Sequence, residues 1–284
     1  MQAFRTENKV IPMKIKPKTK EQQHEENLKT LQAFRPLDDD FMRELFRNNL
    51  PLAQMILRII TGIDDLVIIR QETQYDLKRL VGARSICLDV ICVDSKGRFF
   101  NIEIQKEDEG ADPYRARYHL SSIDVENLRK NQKFKELPDT YVIFITEKDI
   151  FGEGEPIYKV ERVVTTTNKP FNDGEHIIYV NGAYEGDTEL GWLMHDFRCS
   201  NADDMHYELL AERTRYYKKD PKGVSNMCKL MEDRLEEKSR IDALQFALKM
   251  LTMGKFNMDD ISEASGLTLE EVKELAEENN IVTV

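Results

Sequence analysis

Residues 85–109 constrain this chain more than any other stretch. SICLDVICVDSKGRFFNIEIQKEDE holds two strand-length apolar runs around one tight turn, and each run carries a carboxylate among neighbours that make a charge costly. The first run, Ile86 to Val93, is apolar on both faces except at Asp89, the pattern of a central strand covered on both sides. The second runs from Arg98 to Lys106. Side chains alternate along a strand, so Asn101, Glu103 and Gln105 share one side, while Phe100, Ile102, Ile104 and Lys106 share the other. A three-residue loop closed by Asp94 and Arg98, with Gly97 in the left-handed position, predicts a hairpin; counting back from that pair sets Asp89 opposite Glu103. Opposed strand residues have Cβ atoms roughly 4.5–5.5 Å apart, so the two carboxylates repel unless something neutralises them. A one-residue slip would send them to opposite faces. Hard divalent cations such as Mg²⁺ or Mn²⁺ suit such an oxygen pair and keep waters that can become nucleophiles. The plainer arrangement is an acid pair that is solvated or bonded to Arg or Lys.

Asp89 followed after the hairpin by Glu103-Ile104-Gln105 resembles the D…(D/E)-x-K signature of the PD-(D/E)XK nucleases. The likeness extends through Leu37-Asp38-Asp39-Asp40-Phe41, the Asn101–Gln105 strand, RARYHLSSID, LPDTYVIFIT, HIIYVNG and LMHDF, which together resemble the PD-(D/E)XK nuclease family transposases, also described as recombination-promoting nucleases. That resemblance implies a restriction-endonuclease-like αβββαβ core, a DNA substrate, and Mg²⁺ or Mn²⁺ held by Asp89 and Glu103. It also implies a catalytic role for Gln105, with Asp40 as an accessory acid near the metal. Two residues depart from the pattern: Leu88 stands where the superfamily name has proline, and Gln105 where lysine orients or polarises the attacking water. A neutral amide can position water by hydrogen bonds but cannot stabilise hydroxide by charge. Three aspartates at a helix start also read as caps.

The chain has 284 residues, 40% hydrophobic and 33% charged, enough for one large or two modest cores. Its apolar runs fall short of the roughly 20 residues that span a bilayer, and the first residues lack a signal peptide's apolar region, so a cytoplasmic protein with no membrane partner is expected. A net charge of −11 opposes broad contact with nucleic acid, so a DNA ligand must meet local basic groups. Two concentrations occur: Lys9, Lys14, Lys16, Lys18 and Lys20 in an arm, and Arg115, Arg117, Arg129, Lys130, Lys133 and Lys135 around one helix. Arg115 and Arg117 are the candidate phosphate contacts, set against a solvated, ion-paired face. Cys87, Cys92, Cys199 and Cys228 lack C-x-x-C spacing and read as buried free thiols; His195, Cys199 and His206 make a poor zinc set.

The periodicities predict a helical lead over 37–60, strands at 66–73, 86–93 and 98–106, a helix over 114–130 and a strand at 141–146, an α/β order with a mixed central sheet. Strands at 157–164 and 176–180 follow. From Gly191 the pattern is helical, ending in two short helices, the second opening on a Thr268-x-x-Glu271 capping box; the many acids there disfavour a DNA groove. The organisation expected is a basic arm over 1–36, a nuclease-like domain over 37–200 and a helical region over 201–284 for packing, partner binding or homo-oligomers. No glycine-rich phosphate loop or G-x-S-x-G elbow is present, which argues against a nucleotide cofactor and serine hydrolase chemistry. Two functions fit: a metal-dependent DNA endonuclease tied to transposition or recombination, and a weak or inactive nuclease-like module that binds DNA or assembles proteins.

Overall fold

A computed structural model describes residues 19–77, 86–106 and 108–281. Residues 1–18 of the arm expected over 1–36 therefore lie outside the described residues. In chain order the elements are α1 Lys20–Ala33, α2 Asp39–Phe46, α3 Leu50–Thr61, β1 Ile68–Leu77, β2 Ile86–Asp94, β3 Phe99–Gln105, α4 Pro113–Asn127, β4 Thr140–Thr146, β5 Ile157–Val160, β6 Val163–Val164, β7 Lys169–Pro170, β8 Glu175–Asn181, α5 Glu189–Arg198, α6 Glu208–Lys219, α7 Pro221–Met253, α8 Met258–Ser265 and α9 Leu269–Glu278. The chain divides into two compact units: Leu31–Met227, and a second made of the residues before Leu31 with Cys228 onward.

In the larger unit a six-stranded mixed sheet runs β1-β2-β3-β4-β8-β5. β1, β2 and β3 pair antiparallel, β3, β4 and β8 pair parallel, and β5 returns antiparallel on the edge. The hairpin forms in the register its turn dictates: Val90 faces Ile102 and Cys92 faces Phe100, which brings Asp89 level with Glu103. Asp94 builds that turn. Its carboxylate is fully buried, accepts the backbone N–H groups of Lys96 and Arg98 at 2.9 Å, and holds the Arg98 guanidinium at 2.7 Å. Gly97 supplies the left-handed residue at φ 80°.

The step from β3 to the parallel β4 requires a crossover, and α4 provides it. Asp112 caps α4 by accepting from the Tyr114 N–H at 2.6 Å, and Pro113 occupies the first turn. Ala116, Leu120 and Ile123 then bury one stripe of the helix against Leu88, Ile91, Val142, Phe144 and Tyr179 of the sheet. Full burial of such aliphatic side chains contributes about 1.5–3 kcal/mol each, which pins α4 across the C-terminal end of β3. On the helical lead, Phe41, Leu45 and Phe46 of α2 are buried as one face, and α3 runs from the Asn49 cap to Gly62 at φ 72°.

The smaller unit packs the later part of α7 against α8 and α9 through Ala247, Leu251, Ile261, Leu267, Val272 and Ala276. Thr268 and Glu271 make the reciprocal capping box at the start of α9.

Several expectations need correction. The run 157–164 is not one strand: β5 pairs with β8, whereas Val163 and Val164 pair with β7 in a separate two-stranded ribbon. Exposed valines 160, 163 and 164 have no core to bury there, and Arg162 between the pieces is drawn to Asp173 and Glu175. The aspartates of α2 are not side-chain caps. Asp38 makes no capping bond; its carboxylate accepts the Arg35 N–H and pairs with Lys106, while Asp40 pairs with Arg43 at 3.4 Å. Among the thiols, Cys92 and Cys228 are buried, but Cys87 near the start of β2 is exposed.

Candidate active site

Three elements converge where β3 ends. β2 contributes Asp89, β3 contributes Asn101, Glu103 and Gln105, and α4 lays Arg115 and His119, one turn apart, over them. Glu103 is fully buried and Asp89 is 6% exposed. Glu103 Oε1 accepts the Asp89 backbone N–H at 3.3 Å and Asn101 Nδ2 at 3.1 Å; Oε2 accepts Arg115 Nη2 at 3.1 Å. Asp89 is held from the other side by Arg43 of α2, whose Nη2 and Nε reach Oδ1 at 2.7 and 3.2 Å. Each carboxylate thus carries one guanidinium.

Burial first, and the neighbouring Asp89 charge second, hold the Glu103 carboxyl on its proton well above the usual carboxylate range; Arg115 and Asn101 oppose this. His119, 3% exposed, lies 3.5 Å from Glu103 Oε1 and accepts from Arg115 Nε at 3.4 Å. Burial and then Arg115 push this imidazole down to about 4, so it stays neutral near pH 7.

Next to the pair, where Arg115 reaches from Glu103 to Gln105, lies a cleft of about 540 Å³ lined by Phe34, Asp38, Asp39, Asp40, Ile104, Gln105, Lys106, Gly110 and Arg115. Gln105 stands at its edge, with Oε1 accepting from Arg115 Nη1 at 3.4 Å. Gly110 faces that amide so closely that a Cβ there would fall 2.0 Å from Gln105 Oε1. β3 ends at Gln105, and Lys106 just beyond it lines the same cleft, as Ile104 of the opposite face also does, while pairing with Asp38. Burial and then Asp89 raise the carboxyl of Asp39, a mark of the negative potential at this mouth.

Of the residues singled out from sequence, Asp89, Glu103, Gln105 and Arg115 come together. Asp40 lines the cleft wall. Arg117, two residues from Arg115 and so about 200° around the helix, is exposed and lies over the Tyr114 ring at 5.2 Å. Sequence reasoning missed Arg43, Asp39, His119 and Gly110. The i, i+4 spacing of Arg115 and His119 was a usable signal, since both residues fall on the face that meets Glu103. Arg43 carried none, because its partner is remote in the chain.

Two buried carboxylates, one of them desolvated onto its proton beside the other, form an oxygen donor set that a hard divalent cation fits in charge and chemistry. No curated protein and no solved structure gives a significant match to the chain. Residues 50–182 match the model of the PD-(D/E)XK nuclease family transposases, nucleases related to transposition. The match spans Asp89, Glu103, Gln105 and Arg115, and the mixed sheet with its crossover helix has that nuclease fold. Over residues 50–182 the chain is similar to the PD-(D/E)XK nuclease family transposases.

Proposed function

We propose that the protein is a divalent-metal-dependent endonuclease that hydrolyses phosphodiester bonds in DNA during transposition or recombination. The observation that carries this reading is the buried Asp89–Glu103 pair at the open end of β3, inside the segment that matches the family. Asp89 and Glu103 would hold Mg²⁺ or Mn²⁺, which when bound supplies an acidified water and a Lewis acid for phosphate oxygens. Gln105 lies on the Glu103 side of β3 with its amide in the cleft, where it can orient a water by hydrogen bonds without adding charge. Arg115, bonded to both Glu103 and Gln105, is placed to stabilise charge building on the phosphoryl group, and neutral His119 holds it from behind. Lys106 adds a second cation to the same wall. Arg117 on the exposed flank is suited to a phosphate farther along the backbone.

Asp39 joins Asp40 as an acid at the mouth, and Asp39 is the better accessory to the metal because Asp89 already perturbs it. A DNA substrate puts the activity in the cytoplasm. Among the described residues no helix is long and apolar enough to cross a membrane. Leu235, Ile241 and Phe246 of α7 are exposed, which supports self-association through the C-terminal helices; light scattering across concentration measures it.

A second reading rests on Arg43 and Arg115, which together neutralise the acid pair without a cation, and on Gln105 in the lysine position. A nuclease-like module that binds without cutting would need nothing more. Calorimetry separates the two. An enzyme takes up Mn²⁺ with a heat that Asp89→Asn abolishes and incises plasmid in its presence; equal traces for the two proteins would favour the module.

A further inference from the structure

A second group of ligating side chains lies beyond the matched segment, on the last turn of α5 and at the entry to α6. Asp196 is fully buried, and among the described residues its only cationic or imidazole partners are His195 and His206. Its carboxylate anchors the start of α6 by accepting the backbone N–H groups of His206 at 2.9 Å and Tyr207 at 2.8 Å. Those bonds already satisfy a buried acid. Two imidazoles nevertheless turn their Nδ1 atoms to the same oxygen: His195 Nδ1 lies 3.1 Å and His206 Nδ1 3.0 Å from Asp196 Oδ1. One donor atom from each of the three side chains falls within 4.8 Å of the others, and among the described residues this is the one such group of three. Cys199, considered from sequence, is not part of it; it follows the end of α5, and its thiol donates to the Asn201 carbonyl.

Ligand atoms about 2.0–2.1 Å from one tetrahedral Zn²⁺ lie roughly 3.3 Å apart, within a few tenths of the two histidine–carboxylate separations here. Two imidazoles and one carboxylate are donors for Zn²⁺ and its neighbours rather than for Mg²⁺, which prefers oxygen alone. Both histidines are nearly half exposed, which leaves the outer side of the group open to water. We propose that His195, Asp196 and His206 bind one transition-metal dication of the Zn²⁺ class, separate from the acid pair and tying α5 to the start of α6. A neutral imidazole ligating through Nδ1 carries its proton on Nε2, so the two rings bind without losing a proton, and the carboxylate offsets one of the ion's two charges at a site half open to water.

Trp192, the only tryptophan of the chain, lies parallel to the His206 ring at 6.0 Å and reports directly on the site. The experiment titrates Co²⁺ into tag-free, metal-stripped, full-length Asp89→Asn protein at about 10 µM, following Trp192 emission, with Zn²⁺ and Mg²⁺ as competitors. The proposal expects quenching that saturates at one equivalent, is reversed by Zn²⁺ and not by Mg²⁺, and weakens at least about tenfold in His195→Ala. His195 is the variant of choice because its loss leaves every backbone bond to Asp196 in place; an unchanged melting temperature confirms the fold. Absence of saturable quenching, an equal midpoint in folded His195→Ala, or displacement by Mg²⁺ at matching concentration would each overturn it.

Discussion

Replacing Arg43 by methionine removes the cation from Asp89 while keeping most of the volume. Arg43 is 19% exposed on its side chain and Asp89 8%, so the pair is largely desolvated. Removing one member of a buried pair costs about 3–5 kcal/mol, and the residual exposure here puts the loss near the lower end, about 3 kcal/mol. A cation held by the two carboxylates should then replace the arginine. At a hundredfold excess over Kd, ligation stabilises by about 2.7 kcal/mol, nearly the whole deficit. Urea unfolding followed by Trp192, which lies in the unit carrying the site, measures this with chelator and with Mg²⁺. The variant should lose about 3 kcal/mol in chelator and recover most of it in Mg²⁺, and Arg43→Met with Asp89→Asn should be milder than Arg43→Met alone. A variant whose stability Mg²⁺ leaves unmoved would refute the reasoning, because the acid pair would then have no use for a cation.

The remaining predictions concern the chemistry and its pH dependence. Gln105→Ala should slow incision roughly ten- to a thousandfold with little change in stability, and Gly110→Ala should act in the same direction more weakly by displacing the amide; full rate in both would remove Gln105 from the mechanism. Lys106→Ala, since Lys106 lines the cleft, should raise KM for DNA while leaving kcat within about threefold, and a collapse of kcat would exchange the roles given to the two residues. Glu103 must lose its proton to meet a metal. Because its folded pKa is raised, Mn²⁺ affinity should climb with pH by up to about tenfold per unit and flatten above the Glu103 titration, whereas Glu103→Gln should show neither binding nor slope. The same shift makes the metal-free fold lose stability as pH rises from the unfolded Glu value through the folded one. His119 acts oppositely: with its folded value at about 4, its contribution is present above the unfolded value near 6.5 and is lost as pH falls toward 4, which urea melts of His119→Gln against wild type will show.

The hairpin was legible because its information is local. Asp94, Gly97 and Arg98 close a turn whose geometry sets the register, and the register alone sets Asp89 beside Glu103. The order of strands and the crossover helix followed from apolar periodicity and from the Asp112-Pro113 start of α4. What escaped depends on pairs distant in sequence. Nothing near Arg43 announces Asp89, and nothing near Lys106 announces Asp38, because such pairings exist only once α2 packs on the sheet. At His195 the relevant neighbour was the adjacent Asp196, passed over because the cysteine four residues on suggested a helix face that ends before it.

Plasmid incision in Mg²⁺ tests the central claim most directly, with wild type, Glu103→Gln and a chelator control run side by side. The account predicts nicked and linear products from wild type in Mg²⁺ or Mn²⁺, and none with chelator or from folded Glu103→Gln. Incision by Glu103→Gln at the wild-type rate, or intact plasmid after prolonged incubation of folded wild-type protein with either metal, would contradict it.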